Sequence, residues 1–230
     1  MTPPFPRFRP VADQAVMVEF SDVISDSASA QVMSLDAKLA QSPFVGFTEA
    51  VPAYVSLLVA FDAMITDHTS VELALRKVLK SPVLHQIQGR LRDLEICYDT
   101  DIAIDLTRIA DQSGLTPDAV INAHLAQTYQ VVMYGFAPGY AYLSGVSPAL
   151  HLPRKPTARR GVAAGSVIIA ASQCLITTLT MPTGWWIIGR SPTRILLDDN
   201  PLRPFLFDVG DQVRFKRIDR ATFDTKSIFP

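Results

Sequence analysis

The chain has 230 residues, of which 48% are hydrophobic, and its formal net charge is -1 at pH 7. These values indicate a folded protein with a substantial core and argue against the strongly basic composition of nucleic-acid-binding proteins. The longest apolar run, at 54–61, is far shorter than the roughly 20 residues of a membrane helix. The Pro-rich residues 1–10, which we expect to be an extended lead-in, do not resemble a secretory signal. We therefore expect a cytoplasmic protein with no nucleic-acid or membrane partner.

The first part of the chain alternates between strand and helix patterns. Residues 16–20 and 55–61 alternate as strands, and each segment is followed by apolar residues at helical spacing. Thr69 and Glu72 make a capping-box pattern ahead of the second helix. The order β-α-β-α predicts a ferredoxin-like α/β sandwich of the split-βαβ kind over residues 1–88.

The second part of the chain has a different rhythm. Two short helical patterns lie within 100–127, and the second begins with Thr116 as N-cap and a proline in the first turn. Short apolar runs then follow, separated by Gly, Pro, Ser and Asp. Regularly spaced short strands predict a β-barrel or a sandwich over residues 89–230. The runs lie at 167–171, 175–179, 185–188 and 195–197.

A glycine-punctuated segment, VMYGFAPGYAYLSGV at 132–146, carries no charged side chain. Its three glycines can adopt positive φ, so we predict a strand that runs into a loop. The loop carries three large aromatic side chains, which either pack as a core turn or wall a ligand pocket. These are Phe136, Tyr140 and Tyr142.

The chain contains four histidines and two cysteines, and none of them is grouped at the spacing of metal ligands. We therefore predict no metal site and no disulfide, and we expect Cys97 and Cys174 to be buried thiols. Standard catalytic signatures, such as a nucleophile elbow or a phosphate-binding loop, are absent. His124, near the end of the second predicted helix of this part, is the histidine that we consider for a site.

Basic residues are scattered along the chain except in one short segment. This segment is either a solvated loop or the cationic rim of a site for a carboxylate or a phosphate, and spacing alone does not decide between them. The basic residues of the segment are Arg154, Lys155, Arg159 and Arg160.

Two later segments place polar residues inside apolar runs. Ser166 and Gln173 need hydrogen-bond partners if they are buried. Arg190 follows a turn at Gly189 and could pair with a carboxylate at the core edge or bind a carboxylate or phosphate of a substrate. Strand alternation places Trp185 and Arg190 on opposite faces unless the turn redirects the arginine.

Seven segments, taken together and in this order, resemble a family of carboxyltransferase-domain proteins (subdomain C and D type). That family includes the B subunit of the bacterial ATP-dependent 5-oxoprolinase, the kinase inhibitor KipI and allophanate hydrolase subunit 1. The segments are ADQAVMVEF (12–20), VPAYVSLLVAFD (51–62), EICYD (95–99), HLAQTYQVVMYGFAPGYAYLSGV (124–146), AGSVIIA (164–170), GWWIIGRSP (184–192) and VGDQVRF (209–215).

The resemblance implies an α+β fold with an N-terminal ferredoxin-like α/β sandwich and a C-terminal cyclophilin-like β-barrel. It also implies a complex with two partners, a C-type subunit of related barrel architecture and an A-type subunit. The implied reaction is the ATP-driven opening of the 5-oxoproline lactam to glutamate, with ATP bound in the complex rather than necessarily by this chain. Two alternatives stay open: a KipI-like inhibitor of a sensor histidine kinase, and an allophanate or urea carboxylase-type subunit that acts on another amide.

Under this resemblance the barrel contributes side chains to a site for a small amide substrate. Arginines and backbone N–H groups would bind carboxylate and phosphate oxygens, and the aromatic loop would form one wall of the pocket. We predict His124, Gln173 and Arg190 as catalytic residues. The predicted substrate-binding residues are Phe136, Gly139, Tyr140, Tyr142, Arg159, Ser166 and Trp185.

Overall fold

A computed structural model of the protein describes residues 4–82, 89–197 and 203–227. The chain divides into two units, Met1–Gln88 and Gly89–Pro230. Both units mix helices and strands, and the predicted α+β class is confirmed. None of the described helices combines the length and the apolar composition that a bilayer span requires.

The first unit is a four-stranded antiparallel sheet with two helices, in the strand order β1-β2-β4-β3. Each helix follows a hairpin, so the chain order is β-β-α-β-β-α. The predicted lead-in at residues 1–10 is wrong for residues 7–10, which belong to edge strand β1 (Arg7–Val11), and its residues 1–3 lie outside the described residues. The elements are β1 (Arg7–Val11), β2 (Ala15–Glu19), α1 (Asp26–Gln41), β3 (Phe47–Ala53), β4 (Ser56–Phe61) and α2 (His68–Lys80).

Capping fixes where both helices of this unit begin. The Ser25 side chain accepts a hydrogen bond from the backbone N–H of Ala28, and the Asp67 side chain accepts one from that of Ser70. The predicted N-cap, Thr69, is therefore wrong by two residues, because Asp67 caps the helix instead. A carboxylate accepts a hydrogen bond from a free helix N–H as well as a hydroxyl does. The core of the unit lies between the sheet and the helices. Its largest fully buried side chains are Leu35, Leu39, Leu57, Phe61 and Leu75.

The second unit is a closed seven-stranded barrel in the order β10-β7-β6-β13-β5-β12-β9, with β8 and β11 as a separate two-stranded ribbon. The predicted barrel is confirmed, but the run at 195–197 contributes only one isolated bridge, between Leu196 and Phe205. The elements are β5 (Leu91–Cys97), α3 (Leu106–Ser113), α4 (Pro117–Leu125), β6 (Tyr129–Tyr134), β7 (Ala141–Ser144), β8 (Arg159–Val162), β9 (Ser166–Ala170), β10 (Gln173–Ile176), β11 (Met181–Thr183), β12 (Trp186–Arg190), β13 (Gln212–Ile218) and α5 (Arg220–Lys226).

On one side of the barrel the strands are apolar on both their inner and their outer faces. All seven barrel strands contribute to the interior cluster, for example through Ile169, Cys174 and Trp186. Their sequence neighbours point outward and form a second cluster with the aromatic loop and the β8–β11 ribbon. We call this second group the outer cluster. It consists of Tyr140, Val162, Ile168, Ala170, Leu175, Trp185 and Ile187.

Candidate functional site

The glycine-punctuated segment forms β6, β7 and the loop between them, as predicted. Gly139 has φ +74, and a Cβ placed there would lie 2.8 Å from Leu196 Cδ2 and 3.0 Å from Thr178 Cγ2. The position therefore requires glycine for both its backbone and its surroundings. The expected positive φ is not found at Gly135, because the neighbouring Phe136 adopts it instead, with φ 72.

The loop and the outer cluster enclose a cleft of about 140 Å³ on the outer face of the barrel. The Phe136 and Tyr140 rings are 5.6 Å apart, and Tyr142 and Trp185 meet edge to face at 5.9 Å. Four of the predicted substrate-binding residues are thus brought together. The lining residues are Phe136, Tyr140, Tyr142, Arg154, Ile168, Leu175, Thr177, Met181, Pro182, Thr183, Gly184 and Trp185.

Arg154 supplies the positive charge of the cleft. Its guanidinium lies 5.7 Å from the centre of the Trp185 ring, and it forms no ion pair with any residue that the structure describes. The sequence indicated a basic segment here but did not single out this residue. A cation over an aromatic wall, without a protein counter-ion, is available to an anionic ligand.

The two tyrosines of the cleft are neutral donors at physiological pH. Burial, followed by the nearby Tyr142, raises the pKa of Tyr140 to about 12. Burial also raises the pKa of Tyr142, although Arg154 opposes that shift. Neither hydroxyl donates a hydrogen bond to a described residue. Both can therefore donate to an oxygen of a ligand.

The four basic side chains of this segment lie in three different environments. Arg154 faces the cleft, whereas the Lys155 side chain is buried and its Nζ lies 2.6 Å from Asp105 Oδ2. Arg159 and Arg160 are exposed on β8. Arg159 is paired with Thr183, which lines the cleft, so this predicted residue lies beside the cleft but not among its lining residues.

Ser166 and Arg190 come together, but away from the cleft. A register shift between Ile187 and Gly189 places Arg190 opposite Ser166 on the neighbouring strand, so the bulge redirects the arginine to the outer face. Arg190 Nε donates to the Ala164 carbonyl at 2.9 Å, and Ser166 Oγ donates to that of Ala163 at 2.8 Å. Burial lowers the pKa of Arg190, and Arg220 lowers it further. These contacts give both residues structural partners.

The other two predicted catalytic residues also lie outside the cleft. Gln173 is on β10, two residues from the cleft residue Leu175 and on the same face of the strand. His124 is fully buried inside the barrel, where its Nδ1 lies 2.7 Å from the Tyr98 hydroxyl. Burial lowers the pKa of His124 to about 3. At this position the imidazole cannot contact a ligand in the cleft, which does not support its predicted catalytic role.

Both cysteines are free and buried, as predicted. Cys174 Sγ lies 3.9 Å from His124 Nε2 inside the barrel. Burial raises the pKa of both thiols. They are therefore poor nucleophiles and belong to the core.

Known proteins share this architecture. A relative named as the B subunit of 5-oxoprolinase, from Bacillus subtilis (strain 168), is 31% identical over 228 residues, and the match covers 93% of each chain. The crystal structure of TTHA0988 matches 90% of this chain with a TM-score of 0.79 and 32% identity, and the chain spans 40% of the length of that protein. The urea amidolyase of K. lactis matches 97% of this chain and 16% of its own at 17% identity, with a TM-score of 0.76, which shows a shared fold.

A family model gives the same assignment over most of the sequence. The model of the carboxyltransferase domain, subdomain C and D, matches residues 6–207. This range includes every described strand from β1 to β12, and with them every residue that lines the cleft. The predicted family is thus confirmed, and the chain belongs to the carboxyltransferase domain, subdomain C and D, family.

Proposed function

We propose that the chain is one component of an ATP-dependent 5-oxoprolinase-type hydrolase, which opens 5-oxo-L-proline to L-glutamate in complex with partner subunits. The name of the Bacillus subtilis relative supports this assignment. The observation that carries it is Arg154, a cation without an ion pair among the described residues, placed over the aromatic wall of the cleft.

The chemistry of the cleft matches the parts of this substrate. 5-Oxoproline has a carboxylate next to a small, flat lactam ring. A guanidinium binds a carboxylate through two parallel hydrogen bonds, so Arg154 would hold this group. The ring would lie against Trp185 and Tyr142, and a tyrosine hydroxyl would donate to the lactam carbonyl. A donor at that oxygen stabilises the negative charge that develops there when the amide is attacked.

The same cleft does not fit a nucleoside triphosphate. Its volume of about 140 Å³ is below the roughly 300–1,000 Å³ of most ligand pockets, and one arginine faces it. A polyphosphate needs several cationic or backbone N–H groups. We therefore propose that ATP binds elsewhere in the complex, which includes a C-type barrel partner and an A-type partner.

The test is release of glutamate from 5-oxo-L-proline and ATP by the complex assembled with its cognate partners. We expect turnover that requires this chain. Arg154→Ala should lower kcat/KM by about 10- to 100-fold, the loss expected for a charge-assisted contact. The control is Arg108→Ala, which removes an exposed arginine of α3 that does not line the cleft. A complete complex without turnover, or equal rates for the two variants, would refute the proposal.

One observation favours a second function, a KipI-like inhibitor of a sensor histidine kinase. Phe136 is 75% exposed at the mouth of the cleft, and an exposed aromatic side chain is a common anchor of protein interfaces. Under this function the isolated chain would slow autophosphorylation of its cognate kinase, and Phe136→Ser would abolish the effect. Turnover by the complex without any effect on the kinase would exclude it.

A further inference from the structure

The segment that carries Arg154 is fastened to the barrel at three points. The Trp186 indole Nε1 donates to the Pro153 carbonyl at 2.7 Å, and the Lys155 backbone N–H donates to the Gly184 carbonyl at 2.7 Å. The third point is the ion pair between Lys155 Nζ and Asp105 Oδ2 at 2.6 Å. Arg154 is therefore flanked on both sides by residues that are held in place.

Asp105 is itself anchored to β12 by both its backbone and its side chain. Its backbone N–H donates to the Ile187 carbonyl at 3.2 Å, and its Oδ2 accepts the Ile187 N–H at 3.0 Å. Asp105 is the residue before α3, where an aspartate ordinarily caps the helix, yet its side chain makes no capping bond. The carboxylate is used instead to join Lys155 to β12.

Burial makes this pair a rigid connection. The Asp105 and Lys155 side chains are 4% and 7% exposed, so water competes little for either charge. Both members of the Arg154–Trp185 contact lie next to residues that these bonds fix, namely Lys155 on one side and Gly184 and Trp186 on the other. A loose arginine at the cleft would lose more conformational freedom each time it bound a ligand.

We propose that the buried Asp105–Lys155 pair positions Arg154, so that the guanidinium is held over the cleft before a carboxylate ligand arrives. Asp105 and Lys155 touch no ligand and act only through Arg154. The identity of the ligand, 5-oxo-L-proline, rests on the proposed function. The positioning itself is a property of this chain and can be measured without turnover.

The test variant removes both charges and keeps the packing. Lys155→Met preserves an unbranched side chain of similar length. Asp105→Asn preserves an oxygen that accepts the Ile187 N–H, so that no unpaired charge is buried. The second variant, for use if the double variant does not fold, combines Asp105→Asn with Lys155→Gln. It also buries no unpaired charge and lets a neutral hydrogen bond form between the two side chains, so it should change each readout in the same direction by less.

The first readout is kinetic and uses the assembled complex. We expect the double variant to raise KM for 5-oxo-L-proline about tenfold and to change kcat less than about twofold, because pre-organised binding is lost and the chemistry is not. Added to Arg154→Ala, the same double variant should raise KM less than about twofold further, since its effect acts through that arginine. Full multiplication of the two effects would overturn the proposal.

The second readout is independent of activity. The chain contains two tryptophans, Trp185 and Trp186, and both lie against the 153–155 segment, so its tryptophan fluorescence reports on the contacts of this segment. We expect acrylamide to quench the double variant of the isolated chain about twofold more effectively than the original chain. Unchanged quenching in a folded variant would overturn the positioning role. If the original complex lacks turnover but quenching rises, the proposed function fails and the positioning role stands.

Discussion

Replacing Gly139 with alanine tests how closely the aromatic loop packs against its neighbours beside the cleft. The new methyl group would lie 2.8 Å from Leu196 Cδ2 and 3.0 Å from Thr178 Cγ2, at a backbone φ of +74. Thr178 cannot easily move away, because its hydroxyl donates to the Pro138 carbonyl at 2.6 Å. The positive φ costs about 1–2 kcal/mol for alanine. Crowding against Leu196 and the hydrogen-bonded Thr178 adds about 1–3 kcal/mol.

Gly114 provides the matched control for the crowding part of this cost. It has φ +68 at the end of α3, and a Cβ placed there meets no atom within 4 Å. Gly114→Ala therefore carries only the backbone cost. We expect Gly139→Ala to lower the free energy of unfolding of the barrel by about 1–3 kcal/mol more than the control does. Urea unfolding followed by tryptophan fluorescence measures this, because both tryptophans lie in the barrel unit. Equal losses for the two variants would refute the close contact with Leu196.

Three further predictions concern titratable groups. Since burial lowers the pKa of His124 to about 3, its ring should stay neutral at pH 5; NMR of the imidazole nitrogens checks this, and a midpoint near the ordinary 6.5 would contradict it. The stabilisation from this neutral histidine is complete above pH 6.5 and is lost as the pH falls towards 3. Burial raises the pKa of Asp36 from 3.8 to about 6, so its unfavourable charge develops as the pH rises through this range. Asp36→Asn should therefore stabilise the first unit by about 1 kcal/mol at pH 8, after allowance for solvent screening, and not at pH 3, as denaturant midpoints at the two pH values would show. Cys97 and Cys174, buried and with raised pKa values, should resist iodoacetamide in the folded chain and react after unfolding; rapid labelling of the native protein would disprove their burial.

The sequence predicted which side chains of an element share a face better than it predicted which residues they contact in the folded protein. Alternation at 55–61 predicted strand β4 and which of its side chains share a face, since the periodicity of a strand directly determines this. The structure buries Leu57, Val59 and Phe61 on one of these two faces. The aromatic loop and Trp185, which were both predicted to contact substrate, line the same cleft. Spacing did not distinguish Arg154 from Lys155, because neighbouring residues in an extended segment point in opposite directions and only the tertiary partners decide which direction is inward.

His124 and Arg190 illustrate two different limits of sequence analysis. The histidine lies on α4, and its burial depends on packing against Tyr98, Tyr129 and Phe215, which are distant in sequence from one another. For the arginine, the one-residue bulge before Gly189 reverses the side that simple alternation assigns. Neither the partners of a buried polar residue nor the position of a bulge can be read from periodicity.

The parallel pairing of β5 with β13 has a consequence for how the protein is made. These are the first and the last strands of the barrel along the chain, and they pair over their full lengths, from Leu91 with Gln212 to Cys97 with Ile218. The barrel can close only after residue 218 has left the exit tunnel of the ribosome. The elements of the first unit are complete by Lys80, so that unit can fold while the rest is still being translated. Until then, the apolar strands that later carry the cleft have an unpaired edge. We therefore expect the nascent chain to be most prone to aggregation through the strands of this second unit.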